Sequence, residues 1–335
     1  RPGKYDDIKG DTEIVAQNGF LDIRGNNAVG VISMVQTSQN DIRDVLLQAN
    51  DFVNIYGRDK GVFYEPGSRN MNIISTNDNV TISSDNIGFY AADELRKEDI
   101  GRNPEVKAEN TRGVVNINAK QGNVNLYGGT SGLIIDNIAV QDADENQGGY
   151  FTTINVEAGK SINIIGEEEY GIQASNVLSI KDLSVDMPED KSANLNVTSQ
   201  GTINVFGGEA GIMATAVKDE FDKNTLSNTD FGSKVNLTAN GDIEVQGGDY
   251  GVIAFENSNV DITSKNGNIL IGATDTNTNK VSNTAAVYAE NGVNDITVQA
   301  VMQTKTVKGT VLDENGEPLI GVSIVVKGTS TGTIT

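Results

Sequence analysis

Three carboxylates recur at one place in a repeating sequence: Glu169, Glu209 and Asp249, each 40 residues from the next. Each stands two residues before a glycine that opens a short apolar segment, Gly171-Ile-Gln-Ala, Gly211-Ile-Met-Ala and Gly251-Val-Ile-Ala. If successive repeats stack as strands, these carboxylates form a column with neighbours about 5 Å apart. A retaining glycosidase places its two carboxyl groups at roughly that separation. The same column would make a poor calcium cage, because like charges with few neutral oxygen ligands do not fill a coordination sphere. Turns of this kind face water, where a carboxyl is not pushed toward general-acid duty. Sugar clefts also lean on aromatic platforms, yet aromatic residues are 5% of the chain and there is no Trp. The expectation is therefore a solvated acidic turn column, with no catalytic, cofactor-binding or metal residue assigned. The chain has no His and no Cys. That excludes a Ser-His-Asp triad, a Cys/His zinc site and disulfides.

A second acidic set lies in insertions at about residues 92–112, 138–150, 177–191, 217–232 and 273–283, read as leaving one corner of the repeat after its third segment. They carry Asp142, Asp144 and Glu145, then Asp186, Glu189 and Asp190, then Asp219, Glu220 and Asp222. Long connections on a rigid scaffold favour binding, so these are the candidate binding loops. The net charge of −21 repels nucleic acid and anionic lipid. No run of 18 apolar residues offers a membrane-spanning helix.

What must position these groups is the repeat itself. Gly122-Asn-Val124-Asn-Leu126-Tyr-Gly128-Gly129 returns as Gly201-Thr-Ile203-Asn-Val205-Phe-Gly207-Gly208 and as Gly241-Asp-Ile243-Glu-Val245-Gln-Gly247-Gly248. A segment such as Val115-Asn-Ile117 or Val235-Asn-Leu237 precedes each copy, and one such as Gly132-Leu-Ile-Ile follows it. All three segments alternate apolar and polar residues, the period of a strand. Three short strands cannot bury their apolar faces alone, and stacking identical coils does so. The order of segments never reverses, which argues for parallel stacking against a sandwich of hairpins. The reading is all-β: a parallel β-helix of three strands per coil and about eight coils over residues 12–300. Residues 1–11 form a lead-in, and 301–335 a linker and a short hairpin-like tail. Val124, Ile162, Ile203, Ile243 and Ile269 are expected in one inward column. Gly132, Gly171, Gly211 and Gly251 are expected to stack at one corner, where glycine often serves a positive φ.

The coil phrases NVNLYGGTSGLI, GTINVFGGEAGIMA and GDIEVQGGDYGVIA resemble the adhesin-type passenger domains of autotransporters. That resemblance implies a right-handed helix, export to the bacterial cell surface, and adhesion or aggregation. The tail, Val311-Leu-Asp-Glu-Asn-Gly316-Glu-Pro318-Leu-Ile-Gly321-Val-Ser-Ile-Val-Val-Lys-Gly328, is similar to the carboxypeptidase-regulatory-like module of TonB-dependent outer-membrane transporters. Strands at 307–312 and 319–327 are expected there, with a turn at Asn315-Gly316. The functional expectation is an extracellular, non-enzymatic stalk that binds a host or bacterial surface receptor, protein or glycan, and self-associates. A β-helical polysaccharide enzyme and a fragment of an outer-membrane glycan-uptake system are the alternatives.

Overall fold

The computed structural model describes residues 12–33, 44–65, 70–92, 111–141, 147–180, 194–218, 232–274, 285–290, 294–301, 323–325 and 332–334. Short strands follow one another in triplets. Coil one is β1 (Thr12–Ala16), β2 (Leu21–Gly25) and β3 (Val29–Ser33); coil two is β4 (Val45–Ala49), β5 (Val53–Gly57) and β6 (Lys60–Tyr64). Coil three is β7 (Met71–Ser75), β8 (Val80–Ser84) and β9 (Ile87–Ala91); coil four is β10 (Thr111–Ala119), β11 (Val124–Gly128) and β12 (Ser131–Gln141). Coil five is β13 (Gln147–Ala158), β14 (Ile162–Gly166) and β15 (Tyr170–Ile180); coil six is β16 (Leu195–Ser199), β17 (Ile203–Gly207) and β18 (Ala210–Lys218). Coil seven is β19 (Lys234–Ala239), β20 (Ile243–Gly247) and β21 (Tyr250–Phe255); coil eight is β22 (Asn259–Ser264), β23 (Ile269–Ala273) and β24 (Ala285–Glu290). A ninth coil begins with β25 (Asp295–Ala300).

Every strand pairs in parallel with its counterpart one coil on, so three stacks form: first strands β1 to β25, second strands β2 to β23 and third strands β3 to β24. This is a parallel β-helix. The register carries Val124 to Ile162, Ile203, Ile243 and Ile269 in one column, as the repeat predicts. The first four are sealed from solvent, while Ile269 is partly buried near the end of the stack. Alternation thus becomes a continuous core of Val, Ile and Leu columns, and burial of those columns drives the coils together.

The glycine column runs back through the early coils as well. Gly30, Gly61 and Gly88 continue the line of Gly132, Gly171, Gly211 and Gly251, and a Cβ on any of them would meet the next coil's carbonyl oxygen at 2.6–2.9 Å. None of these glycines has a left-handed φ. Close approach between coils, rather than a positive φ, is what requires glycine there.

Two expectations about connections need correction. The insertion at 138–150 is partly strand: β12 runs on to Gln141 and pairs antiparallel with β13, Ile138 opposite Tyr150 and Gln141 opposite Gln147. β15 and β18 also extend beyond the coil and stay in parallel register with β12 and with each other. The backbone groups at the roots of these insertions are thereby paired rather than left to loop. Likewise Thr111 and Arg112 belong to β10. The stretch 273–283 does not share the corner of the others. Ile269 pairs with Ile243 in the second stack, so that connection leaves between a second and a third strand.

The chain divides into two units, Arg1–Val301 and Met302–Thr335. In the second, β26 (Ser323–Val325) pairs antiparallel with β27 (Gly332–Ile334). β26 lies within the expected 319–327 strand, but its partner is 332–334; 307–312 and Asn315-Gly316 lie outside the described residues.

Candidate functional site

The acidic turn column is assembled as the repeat predicts. The Glu209 N–H donates to the Glu169 carbonyl at 2.7 Å, and the Asp249 N–H to the Glu209 carbonyl at 2.9 Å. Glu169 and Glu209 are exposed and Asp249 is half-buried. Tyr170 lies against them. Burial first, then the charges of Glu209 and Glu169 and a hydrogen bond with Glu209, push its phenol up to about 12. The column is an acidic corner exposed at Glu169 and Glu209. Among the described residues no three His, Cys, Asp or Glu side chains group as metal ligands. The candidate loop residues Asp142, Asp144, Glu145, Asp186, Glu189, Asp190, Asp219, Glu220 and Asp222 lie outside the described residues.

The corner from which those insertions leave is closed by buried asparagines that the repeat did not reveal. The Asn137 side-chain oxygen accepts from the Thr152 N–H at 2.7 Å, joining the end of one coil to the start of the next. Asn176 stands in register with it. Its amide donates to the Gly232 carbonyl at 3.2 Å, and its oxygen accepts from the Asn194 amide at 2.7 Å. Asn194 in turn accepts from the Lys234 N–H at 3.0 Å. All three asparagines are buried, and a buried amide persists only where its groups are paired. Between coils seven and eight a tight turn does the same work, with Glu256 (φ 52°) and Asn257 (φ 62°) both left-handed.

Directly after the insertions at 181–193 and 219–231 the chain enters β16 and β19, whose outward side chains form part of a groove of about 490 Å³. One column of its lining is Asn196, Asn236, Asp261 and Thr297; the other is Thr198, Thr238, Thr263 and Gln299. The first column ends an asparagine ladder in which each amide donates to the oxygen one coil back: Asn116 to Asn72, Asn155 to Asn116, Asn196 to Asn155 and Asn236 to Asn196, at 2.9–3.0 Å. A second ladder, Asn204 to Asn163 to Asn125, runs on the outer face of the second stack. Beside it Tyr127, Ile165 and Phe206 stand in one outward column, with Phe206 40% exposed. The groove's signal was Asn-x-Thr at 196–198 and 236–238 and Asp-x-Thr at 261–263, uncharged for the most part in a strongly acidic chain.

Fold and surface together define a β-solenoid with polar outer faces. No protein-family model and no solved structure matches the chain. A 40-residue segment, 12% of the chain, is 58% identical to the TonB-dependent receptor SusC of Bacteroides thetaiotaomicron. The segment spans 4% of that receptor, and it supports only the TonB-dependent part of the resemblance read from the sequence. No helix among the described residues is long and apolar enough to cross a membrane.

Proposed function

We propose that the chain is a non-catalytic attachment scaffold of a bacterial cell surface, an autotransporter-like adhesin stalk that binds receptors on host or neighbouring cells. The observation that carries this reading is the division of labour around the coil. Second strands are short and uniform, while the corner between third and first strands accepts insertion after insertion and is clasped beneath by Asn137, Asn176 and Asn194. A scaffold that keeps its core regular while varying one corner presents recognition residues at fixed spacing. Glu169 and Glu209 stand exposed on a turn rather than within a pocket, a position that favours binding over hydrolysis. The test is to incubate the purified chain with cells and, separately, with a panel of polysaccharides. Saturable attachment without chain cleavage supports the proposal. Degradation abolished by Glu209→Gln overturns it. The 40-residue similarity to a TonB-dependent receptor favours a second reading, part of an outer-membrane uptake system; the native gene sequence across residue 302 decides that one.

A further inference from the structure

The structure assigns the groove on the first-strand face of coils six to nine as a binding site for a neutral, hydroxyl-rich ligand, an uncharged oligosaccharide chain lying along the helix axis. This rests on the attachment reading and names its ligand. Three observations carry it. The groove's volume of about 490 Å³ lies within the range of small-ligand sites, roughly 300–1,000 Å³. Those sites are ordinarily apolar. This one presents hydroxyl and amide groups, so a ligand that gains from it must itself be polar. Next, only one of its nine lining residues, Asp261, is charged, in a chain of net charge −21. A wall so nearly neutral does not hold an anion against the surrounding field, and it lacks the clustered carboxylates that would hold a cation.

The third observation concerns the end of the ladder. The Asn236 amide is committed to Asn196, and the next coil places Asp261 in register with Asn236. A carboxylate cannot donate, so the ladder ends on two neighbouring acceptors that no described residue's donor reaches. Thr238 and Thr263 stand beside them in the other column, each able to donate and accept. Rows repeat about every 4.8 Å along the axis, and the two columns lie about 7 Å apart across the strand. A sugar chain offers donors and acceptors on both edges of each ring, and laid along the axis it meets a fresh row with each coil. Its hydroxyls donate to Asn236 and Asp261 while the threonines answer the opposite edge. The insertions at 181–193 and 219–231 run straight into this wall, which brings the insertion-bearing corner and the groove onto one side of the same coils.

The experiment uses the full chain and calorimetric titration with cellohexaose, maltohexaose and xylohexaose, with hexagalacturonate and calcium chloride as charged probes. At least one neutral oligosaccharide should saturate, and hexagalacturonate should bind at least tenfold more weakly. Thr238→Arg, which fills the groove from an outward position, should weaken the neutral ligand tenfold or more. Thr238→Val, which keeps the shape and removes one hydroxyl, should weaken it severalfold, and circular dichroism should show both variants folded. The inference is overturned if no neutral oligosaccharide saturates, if Thr238→Arg binds as the parent does, if hexagalacturonate binds as well, or if only calcium binds. Cell attachment retained alongside any of those outcomes would leave the attachment reading standing and remove the groove alone.

Discussion

Replacing Asn176 with Ala should open the corner between coils five and seven. Among the described residues, Asn176 donates there to the Gly232 carbonyl and accepts from the Asn194 amide, each bond worth about 1 kcal/mol net. Removing it also strands the Asn194 amide, 2% exposed, and an unsatisfied buried group costs about 1–3 kcal/mol. With the Asn194 bond counted once, as the stranded amide, the expected loss is about 2–4 kcal/mol. Asn163 supplies the control. It makes the same number of ladder bonds, to Asn125 and from Asn204, both at 2.8 Å. It sits half-buried on an outer face, where water replaces what is lost, so Asn163→Ala should cost about 1 kcal/mol or less. Coiled repeats do not always unfold in one step. The assay therefore pairs urea denaturation with hydrogen exchange read at the amides of coils five to seven. Protection should fall there in Asn176→Ala and hold elsewhere. In the double variant with Asn194→Ala, the loss should be smaller than the sum of the two single losses, because the two residues share one bond. Equal costs for Asn176→Ala and Asn163→Ala would refute the claim that buried asparagines, rather than ladders in general, close the corner.

Gly207→Ala should destabilise by about 1–3 kcal/mol or more through overpacking, since its Cβ would fall 1.8 Å from the Ala210 carbonyl oxygen. Gly19→Ala, with nothing within 4 Å of the added carbon, should stay within about 0.5 kcal/mol; thermal melts of both variants check the contrast. Ile203→Asp should cost more than about 4 kcal/mol by placing an unpaired charge in a sealed column, and a variant that melts with the parent would show the column to be misplaced. Tyr170 should ionise late, near 12 against an ordinary value of 10. A folded-state pKa above the unfolded one means that its stabilising contribution is complete below about pH 10 and is lost as pH rises toward 12. Tyrosinate absorbance should show that late step, and Tyr170→Phe should remove it.

Core and coil were legible because the strand period repeats without interruption. Val124, Ile203, Ile243 and Ile269 each stand two residues after a glycine, and Ile162, like Val124, stands four before one; register follows from those offsets. The tail was legible only as a resemblance; the expected 307–312 strand and Asn315-Gly316 turn lie outside the described residues, and the described pairing is 323–325 with 332–334. The insertion at 273–283 was placed at the wrong corner because the third segment, Ala285–Glu290, opens without the usual glycine. Asn137 and Asn176 were invisible as clasps, since a single buried Asn looks in sequence like any outward one; its partners Thr152 and Gly232 lie across insertions. The groove escaped notice for a related reason. Alternation marks which residues face outward, but not where an outward face turns concave.

Attachment of cells to a surface coated with the purified chain tests the proposed function most directly. Three coatings are compared: the parent, a variant with residues 182–192 and 220–230 replaced by short Gly-Ser linkers, and Thr238→Arg. Saturable attachment to the parent, lost in the shortened variant while its coils keep their melting profile, is the result predicted for an adhesive stalk that binds through one side of coils five to eight. Full attachment by the shortened variant, or no attachment to the parent at any coating density, would contradict it.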